Sequence, residues 1–210
     1  MNTGSSSLYR RPVVFQAFQD RLVVAESTRH GGVSPAPYAS LNLGLYTDDN
    51  PAAVRENRRR FFRVLGFAPE QAAGARQVHG DRILYVEAPG QYDDYDALVT
   101  DRAGILLTVT VADCAPVLLF DPRHNAVAAI HAGWRGTVAG IVEKTLREMT
   151  NCFGSRPVEC YAYVGTCIGA EAYEVDADVA DHFERPFKRW DGNRHKFFID
   201  LKGANRDQLL

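Results

Sequence analysis

A thiol and an imidazole bracket the stretch Val111-Ala-Asp-Cys-Ala-Pro-Val-Leu-Leu-Phe-Asp-Pro-Arg-His-Asn-Ala-Val-Ala-Ala-Ile-His-Ala-Gly-Trp-Arg-Gly136. Cys114 and His131 stand at the outer limits of two apolar runs. A thiolate and an imidazole brought together can ligate a metal or act as nucleophile and base. The plain alternative is an inert buried thiol beside a structural histidine. The chain then continues as His131-Ala-Gly-Trp-Arg-Gly-Thr137, from a strand end into a helix. Such a turn aims backbone N–H groups and the positive end of the helix dipole outward, and Arg135 adds a fork of donors. Phosphate or carboxylate suits that place. A catalytic zinc commonly takes three protein ligands and keeps one position open. His79, in a short polar turn before a strand, is the candidate third ligand. His30, His124, His182 and His195 compete with it, although His124 falls in a hairpin turn far from Cys114.

The elements around these residues must place them. The apolar runs 116–120 and 126–131 flank Asp-Pro-Arg-His-Asn, a turn composition, and so form an antiparallel hairpin. A four-residue loop pairing Phe120 with Asn125 sets Cys114 opposite His131. Two short strands are expected over 11–25, and 28–44 is a long loop saturated with Gly, Pro, Ser and Asn. A helix starts at Asn50 and Pro51 and stops at Gly66. Further strands are expected over 82–87, 104–111, 159–164 and 196–201. Helices are expected from Thr137, over 173–183 and from Ala204. Strands and helices mix without regular βαβ alternation, which gives an α+β fold with mixed or antiparallel sheets. Residues 1–9 read as a disordered leader and 10–210 as a single metal-binding catalytic domain.

The chain has 210 residues, a net charge of -2 and 46% hydrophobic content, so it can bury a core but offers no basic field for nucleic acid. Arg58-Arg59-Arg60 reads as a solvated helix face. No apolar run reaches the ~18 residues of a membrane span. The opening residues hold no apolar signal segment, and the four cysteines form no CxxC pair. A cytoplasmic protein with reduced thiols is expected, a monomer or homodimer.

Three motifs carry a family resemblance: Arg76-Gln-Val-His-Gly80, Thr110-Val-Ala-Asp-Cys-Ala-Pro-Val-Leu-Leu-Phe-Asp-Pro122 and Ala129-Ile-His-Ala-Gly-Trp-Arg-Gly-Thr137. They resemble the core motifs of the bacterial laccase-domain proteins, also described as peptidoglycan editing factors and as purine nucleoside phosphorylases. The loop from Thr28 to Gly44 and the turn Val164-Gly-Thr-Cys-Ile-Gly169 resemble two further family segments, with Thr166 where the family more often has Pro. The resemblance implies a metal held by His79, Cys114 and His131, usually zinc, with copper as the other candidate. It implies an α/β/α-type sandwich with mixed sheets, related to cysteine deamidase toxins. It also implies a segment after Leu210, including a strand with a Tyr-Arg-Arg motif.

The leading functional expectation is a zinc-dependent enzyme acting on a small-molecule nucleoside and phosphate. It covers phosphorolysis of adenosine, inosine and methylthioadenosine, and adenosine deamination. Cys114, His131 and Asp113 are the candidate catalytic residues. Asn42, Gln77, Arg135, Gly136, Thr137 and Cys167 are the candidate substrate contacts. One alternative is a cysteine-dependent amidase editing peptidoglycan precursors, with Cys114 as nucleophile and His131 as base. Another is a copper-dependent polyphenol oxidase, for which six histidines without a His-x-His pair offer little.

Overall fold

The computed structural model describes residues 8–210, so the expected leader lies outside the described residues as far as position 7. The chain forms two compact units. Of the described residues, the first comprises those up to 73, 88–90 and 104–106; the second comprises 74–87, 91–103 and 107–210.

In the first unit, β1 (Tyr9–Arg10) pairs antiparallel with β2 (Glu26–Ser27). The two strands expected over 11–25 are absent; Val13–Phe18 forms a 3-10 helix instead. Only Phe15 of that helix is buried, so its apolar residues do not line a sheet face. Residues 28–44 form the expected loop. Helix α1 (Pro51–Val64) starts as expected, with the Asn50 side chain accepting from Ala52 N at 2.9 Å. Phe61 and Phe62 pack with Leu41, Leu65 and Ala72 into this unit's core. The opposite helix face is charged, but Arg58 is not simply solvated. It lies 4.9 Å over the Phe62 ring and donates to Leu43 O at 3.0 Å. Asn57 is fully buried and holds the long loop: its amide donates to Ser34 Oγ at 2.9 Å and accepts from Val33 N at 2.8 Å.

Glu56 accepts from Arg59 and Arg60, each Nε at 2.7 Å, and these bonds hold its carboxyl down at about 2 against an ordinary 4.5. The unfolded chain therefore binds the proton first as pH falls. The stabilisation is whole above pH 4.5 and disappears toward pH 2. Glu56→Gln is expected to flatten the melting temperature between those limits and to leave the acid limb below them unchanged.

Strands β3 (Ala72–Arg76), β5 (Gly90–Asp93) and β7 (Leu106–Leu107) are short, and the strand expected over 104–111 is reduced to the two residues of β7. The second unit is built on a five-stranded sheet. In order, its strands are β10 (Tyr161–Val164), β8 (Ala115–Asp121), β9 (Ala126–Ala132), β6 (Ala97–Thr100) and β4 (Ile83–Tyr85). All neighbours are antiparallel except β4 with β6, so the sheet is mixed as expected. Strands β8 and β9 are buried along nearly their whole length, as in a sheet covered on both faces.

The helix expected from Thr137 is broken. Short α2 (Trp134–Val138) ends before Gly140, whose φ of 76° only glycine adopts readily, and α3 (Ile141–Phe153) follows. Ile141, Val142 and Met149 of α3 join Val117, Leu119 and Ile130 in the core. The helix expected over 173–183 is mostly absent: β11 (Glu174–Val175) takes its start and α4 (Ala177–Ala180) is one turn. The partner is β13 (Lys196–Ile199), which also pairs with β12 (Lys188–Asp191). Pairing with a neighbouring strand overrides the local helical pattern. Helix α5 (Leu201–Asp207) begins earlier than expected because Asp200 caps it through Gly203 N.

Candidate metal centre

The hairpin delivers Cys114 and His131 to one end of the sheet. Its loop has the expected four residues, but Asp121 pairs with Ala126, so His131 lies opposite Pro116 and not Cys114. This corrects the expected register by two positions. An even slip keeps both side chains on one face. Cys114 and His131 become diagonal neighbours, a relation that spans about 7–8 Å between Cα atoms and still lets side chains meet. The turn starts one residue later than expected because Asp121 still pairs as the last residue of β8. Its carboxylate accepts from Arg123 N at 2.8 Å and engages His124 Nδ1 at 2.7 Å.

His79 joins them from the turn before β4. The ligand atoms of His79, Cys114 and His131 all lie within 4.8 Å of one another. The two imidazoles meet edge-on, with centroids 4.7 Å apart at 81°. His131 is buried, Cys114 half-buried and His79 exposed, so the cluster faces solvent on the His79 side. Two imidazole nitrogens and a thiolate are a donor set that zinc accepts with a position left open, and that copper also accepts. Tetrahedral bonds of about 2.0–2.3 Å set donors about 3.3–3.8 Å apart, so small side-chain movements bring this group to fit.

Asp96, which the sequence reading passed over, organises the cluster. It is 1% exposed, and its Oδ1 engages His131 Nδ1 at 2.7 Å. An imidazole has two nitrogens, so Nε2 is left to face Cys114 and His79. The same carboxylate accepts from Val78 N at 3.3 Å, His79 N at 2.9 Å and Gly80 N at 2.7 Å. Three successive N–H groups converge on one anion only if the backbone curls, and His79 accordingly adopts a φ of 60°. Burial raises the Asp96 carboxyl, but the His131 bond and the Gly80 and Val78 N–H groups reverse this and hold it below its ordinary range. Burial likewise disfavours the His131 imidazolium, yet Asp96 and Cys114 push it up to about 9. A ligating metal displaces that proton. His79 is pulled below its ordinary value by desolvation and by the charges of His131 and Arg135, with Asp96 offsetting part.

Two glycines allow this close packing. A Cβ on Gly133 would stand 3.0 Å from His79 Cδ2 and 3.1 Å from Cys114 Sγ; one on Gly136 would stand 2.6 Å from Gly80 O. Gly136→Ala is therefore expected to push the His79 turn away from α2. The expected cost is about 1–3 kcal/mol of stability in chemical denaturation, together with weakened metal retention.

The other expected site residues divide. Gln77 clamps Thr110: its Nε2 donates to Thr110 O at 2.7 Å and its Oε1 accepts from Thr110 N at 2.9 Å. This ties the His79 turn to the segment that leads to Cys114. Thr137 is buried, and its hydroxyl accepts from Asn205 Nδ2 at 2.9 Å. Asn42 belongs to the first unit, and its amide donates to Thr47 Oγ1 and Asp49 Oδ2, each at 2.9 Å. Asp113 and Arg135 are exposed and, among the described residues, form no ion pair. The Arg135 guanidinium lies 4.4 Å over the Trp134 ring. Cys167 is half-buried against the core. The sequence reading also passed over Tyr173. Burial first, then the Cys114 and Asp113 charges, raise its phenol against an opposing effect of Arg135, which places the ring in the field of the cluster. None of His30, His124, His182 and His195 joins the ligand group.

Residues 23–210 match the family model described as multi-copper polyphenol oxidoreductase laccase. The chain belongs to that family. A protein of Deinococcus radiodurans named purine nucleoside phosphorylase is 46% identical over 190 residues, 88% of this chain and 73% of that protein. Purine nucleoside phosphorylase YfiH of Escherichia coli is 40% identical over 163 residues, 77% of this chain and 65% of that protein. The crystal structure of YlmD from Geobacillus stearothermophilus superposes with a TM-score of 0.83 at 36% identity, over 88% of this chain and 74% of that one. The chain thus spans from about two thirds to three quarters of these relatives' lengths, and the mixed α/β fold with several sheets is the fold of this laccase-like family. Despite the multi-copper description, the described residues bring together one group of three such ligands, His79, Cys114 and His131. No helix is long and apolar enough to cross a membrane.

Proposed function

We propose that this chain carries the metal centre of a purine nucleoside phosphorylase, with zinc held by His79, Cys114 and His131. The observation that carries the reading is the convergence of these three side chains around Asp96, in a chain whose relatives bear that name. A bound zinc ion supplies Lewis acidity toward an oxygen of phosphate or water. Arg135, stacked on Trp134 and without a carboxylate partner, holds the phosphate through its forked N–H donors. Phosphate oxygen bonds to ribose C1′, the bond from C1′ to the base breaks, and the departing base takes up a proton. Asp113 is the exposed carboxylate assigned to move that proton, and Tyr173, whose raised phenol stays protonated at neutral pH, donates to the nucleoside. In the deamination branch of the same proposal the substrate is adenosine: a water oxygen bonds to purine C6, the bond from C6 to the amino nitrogen breaks, and that nitrogen takes up a proton and leaves as ammonia.

One observation favours a second reading. Cys114, His131 and Asp96 stand in the order of a thiol, base and orienting carboxylate, the arrangement of a cysteine amidase. The deamidase kinship that the family resemblance implies belongs to this reading, and His79 has no part in it.

Inosine incubated with and without inorganic phosphate separates the outcomes. Phosphorolysis yields hypoxanthine and ribose 1-phosphate only when phosphate is present. Hypoxanthine released equally without phosphate, or no release at all, would count against it.

A further inference from the structure

Strand β10 pairs with β8 as far as Val164 opposite Val117. Past those strand ends, two backbone bonds keep the chains together: Gly165 N donates to Pro116 O at 2.8 Å, and Ile168 N to Asp113 O at 2.9 Å. Two steps beyond the first bond, or one step inside the second, both chains arrive at Cys167 and Cys114. The two bonds stand three residues apart, so the regular alternation of the ladder ends between them, and Cys167 and Cys114 lie abreast just past the sheet on chains tied on both sides of the pair. A disulfide spans about 4.4–6.8 Å. Both residues are half-buried, and all four cysteines are thiols rather than disulfides. Cys167 is outside the metal-ligand group. On its other flank Cys114 Sγ rests against Gly133, where an added Cβ would be 3.1 Å away, beside the two imidazoles. A Cys114 sulfur bonded to Cys167 is no longer a thiolate and cannot ligate a metal. The sulfur can serve one partner at a time.

We infer that Cys114 and Cys167 form a reversible disulfide under a hydroperoxide, and that this modification removes the thiolate from the metal centre. The consequence for metal rests on Cys114 being a ligand, as proposed above. In the first step the Cys114 thiolate attacks the peroxide oxygen, the O–O bond breaks, and a sulfenic acid and hydroxide or alkoxide result. The Cys167 thiolate then attacks the sulfenic sulfur; the S–S bond forms, the S–O bond breaks, and the oxygen leaves as water. The two thiols give up two electrons in total, which reduce the peroxide to water or to water and an alcohol. A dithiol reverses the modification by exchange. Cys167 in this arrangement protects the ligand, because a sulfenic acid without a neighbouring thiol proceeds to irreversible sulfinic acid.

The test uses the full chain carrying Cys152→Ser and Cys160→Ser, so that Cys114 and Cys167 are the only thiols, stripped of metal by chelation and exposed to hydrogen peroxide. The expected result is a mass loss of two hydrogens and a peptide cross-link joining Cys114 to Cys167. Zinc uptake falls from one equivalent to near zero and returns after dithiothreitol. With Cys167→Ser added, peroxide instead adds oxygen to Cys114, and dithiothreitol does not restore zinc uptake. Oxygen added to Cys114 in both proteins, with Cys167 still alkylated by iodoacetamide, would overturn the inference. These readouts involve no nucleoside, so a failed phosphorolysis assay leaves them intact. A cross-link in a protein whose reduced form takes up no zinc would contradict the ligand reading and leave the disulfide standing.

Discussion

A His79→Ala protein is expected to lose its tightly held metal and to process inosine at least about a thousandfold more slowly, since a catalytic metal supplies several kcal/mol of transition-state stabilisation. The fold is expected to survive. His79 is exposed, and the bond that secures its turn comes from its backbone N–H to Asp96, not from its ring. Its φ of 60° is a position that asparagine tolerates better than alanine, so His79→Asn provides a control that spares the turn and still removes a good ligand. Both variants should show the metal-free melting temperature of the parent. The same pair separates the two functional readings. A nucleophilic Cys114 with His131 as base and Asp96 as orienter needs no His79. Amide cleavage that survives in His79→Asn, while inosine turnover does not change, would favour the amidase. Steady-state turnover with metal content measured on the same samples decides between them.

Asp96→Asn is expected to have the next largest effect, and it acts through positioning rather than through contact with substrate. Each carboxylate oxygen accepts from two donors: Oδ1 from His79 N and His131 Nδ1, Oδ2 from Val78 N and Gly80 N. An amide NH₂ placed on either side meets two donors, so neither flip of an asparagine satisfies the site. Breaking one member of a buried charged hydrogen-bond network costs about 3–5 kcal/mol, and losing the partner of a metal-ligating histidine weakens metal about 10–100-fold. Chelator competition should show that weakening, and denaturant unfolding of the metal-free protein should show the loss of stability. A variant folded as stably as the parent, with unchanged metal affinity, would remove Asp96 from the account. Restored affinity in Asp96→Glu would support the role of the carboxylate itself.

The cluster was legible in the sequence to the extent that its members sit in short local patterns. Cys114 and His131 end two apolar runs around a turn, and that geometry points to their meeting whether the hairpin slips by zero or two residues, because an even slip preserves the face. His79 was one histidine among several until the family motif singled it out. Asp96 was not legible: it closes the acidic run Asp93-Asp94-Tyr95-Asp96, and its partner is 35 residues away. The available signal was the apolar Ala97-Leu-Val that follows it directly, since a carboxylate at the head of a fully buried strand needs partners. Asn42 and Thr137 present a different case. Polar side chains in family motifs suggest substrate contact, and the structure gives both of them hydrogen-bond partners within the protein. The fold misreadings share a cause. Residues 173–183 carry apolar side chains at helical spacing, but Glu174 and Val175 pair with β13, a neighbour that no local pattern reveals. Around 139–140 the helical period continues through a glycine whose positive φ breaks it.

Cobalt(II) titration of the metal-free protein tests the central claim most directly, because a thiolate bound to cobalt produces a ligand-to-metal charge-transfer band in the near ultraviolet. If His79, Cys114 and His131 hold one ion, the band saturates at one equivalent, vanishes in Cys114→Ser and forms only weakly in His79→Ala. A protein that shows no band, or one whose band persists in Cys114→Ser, would contradict the account.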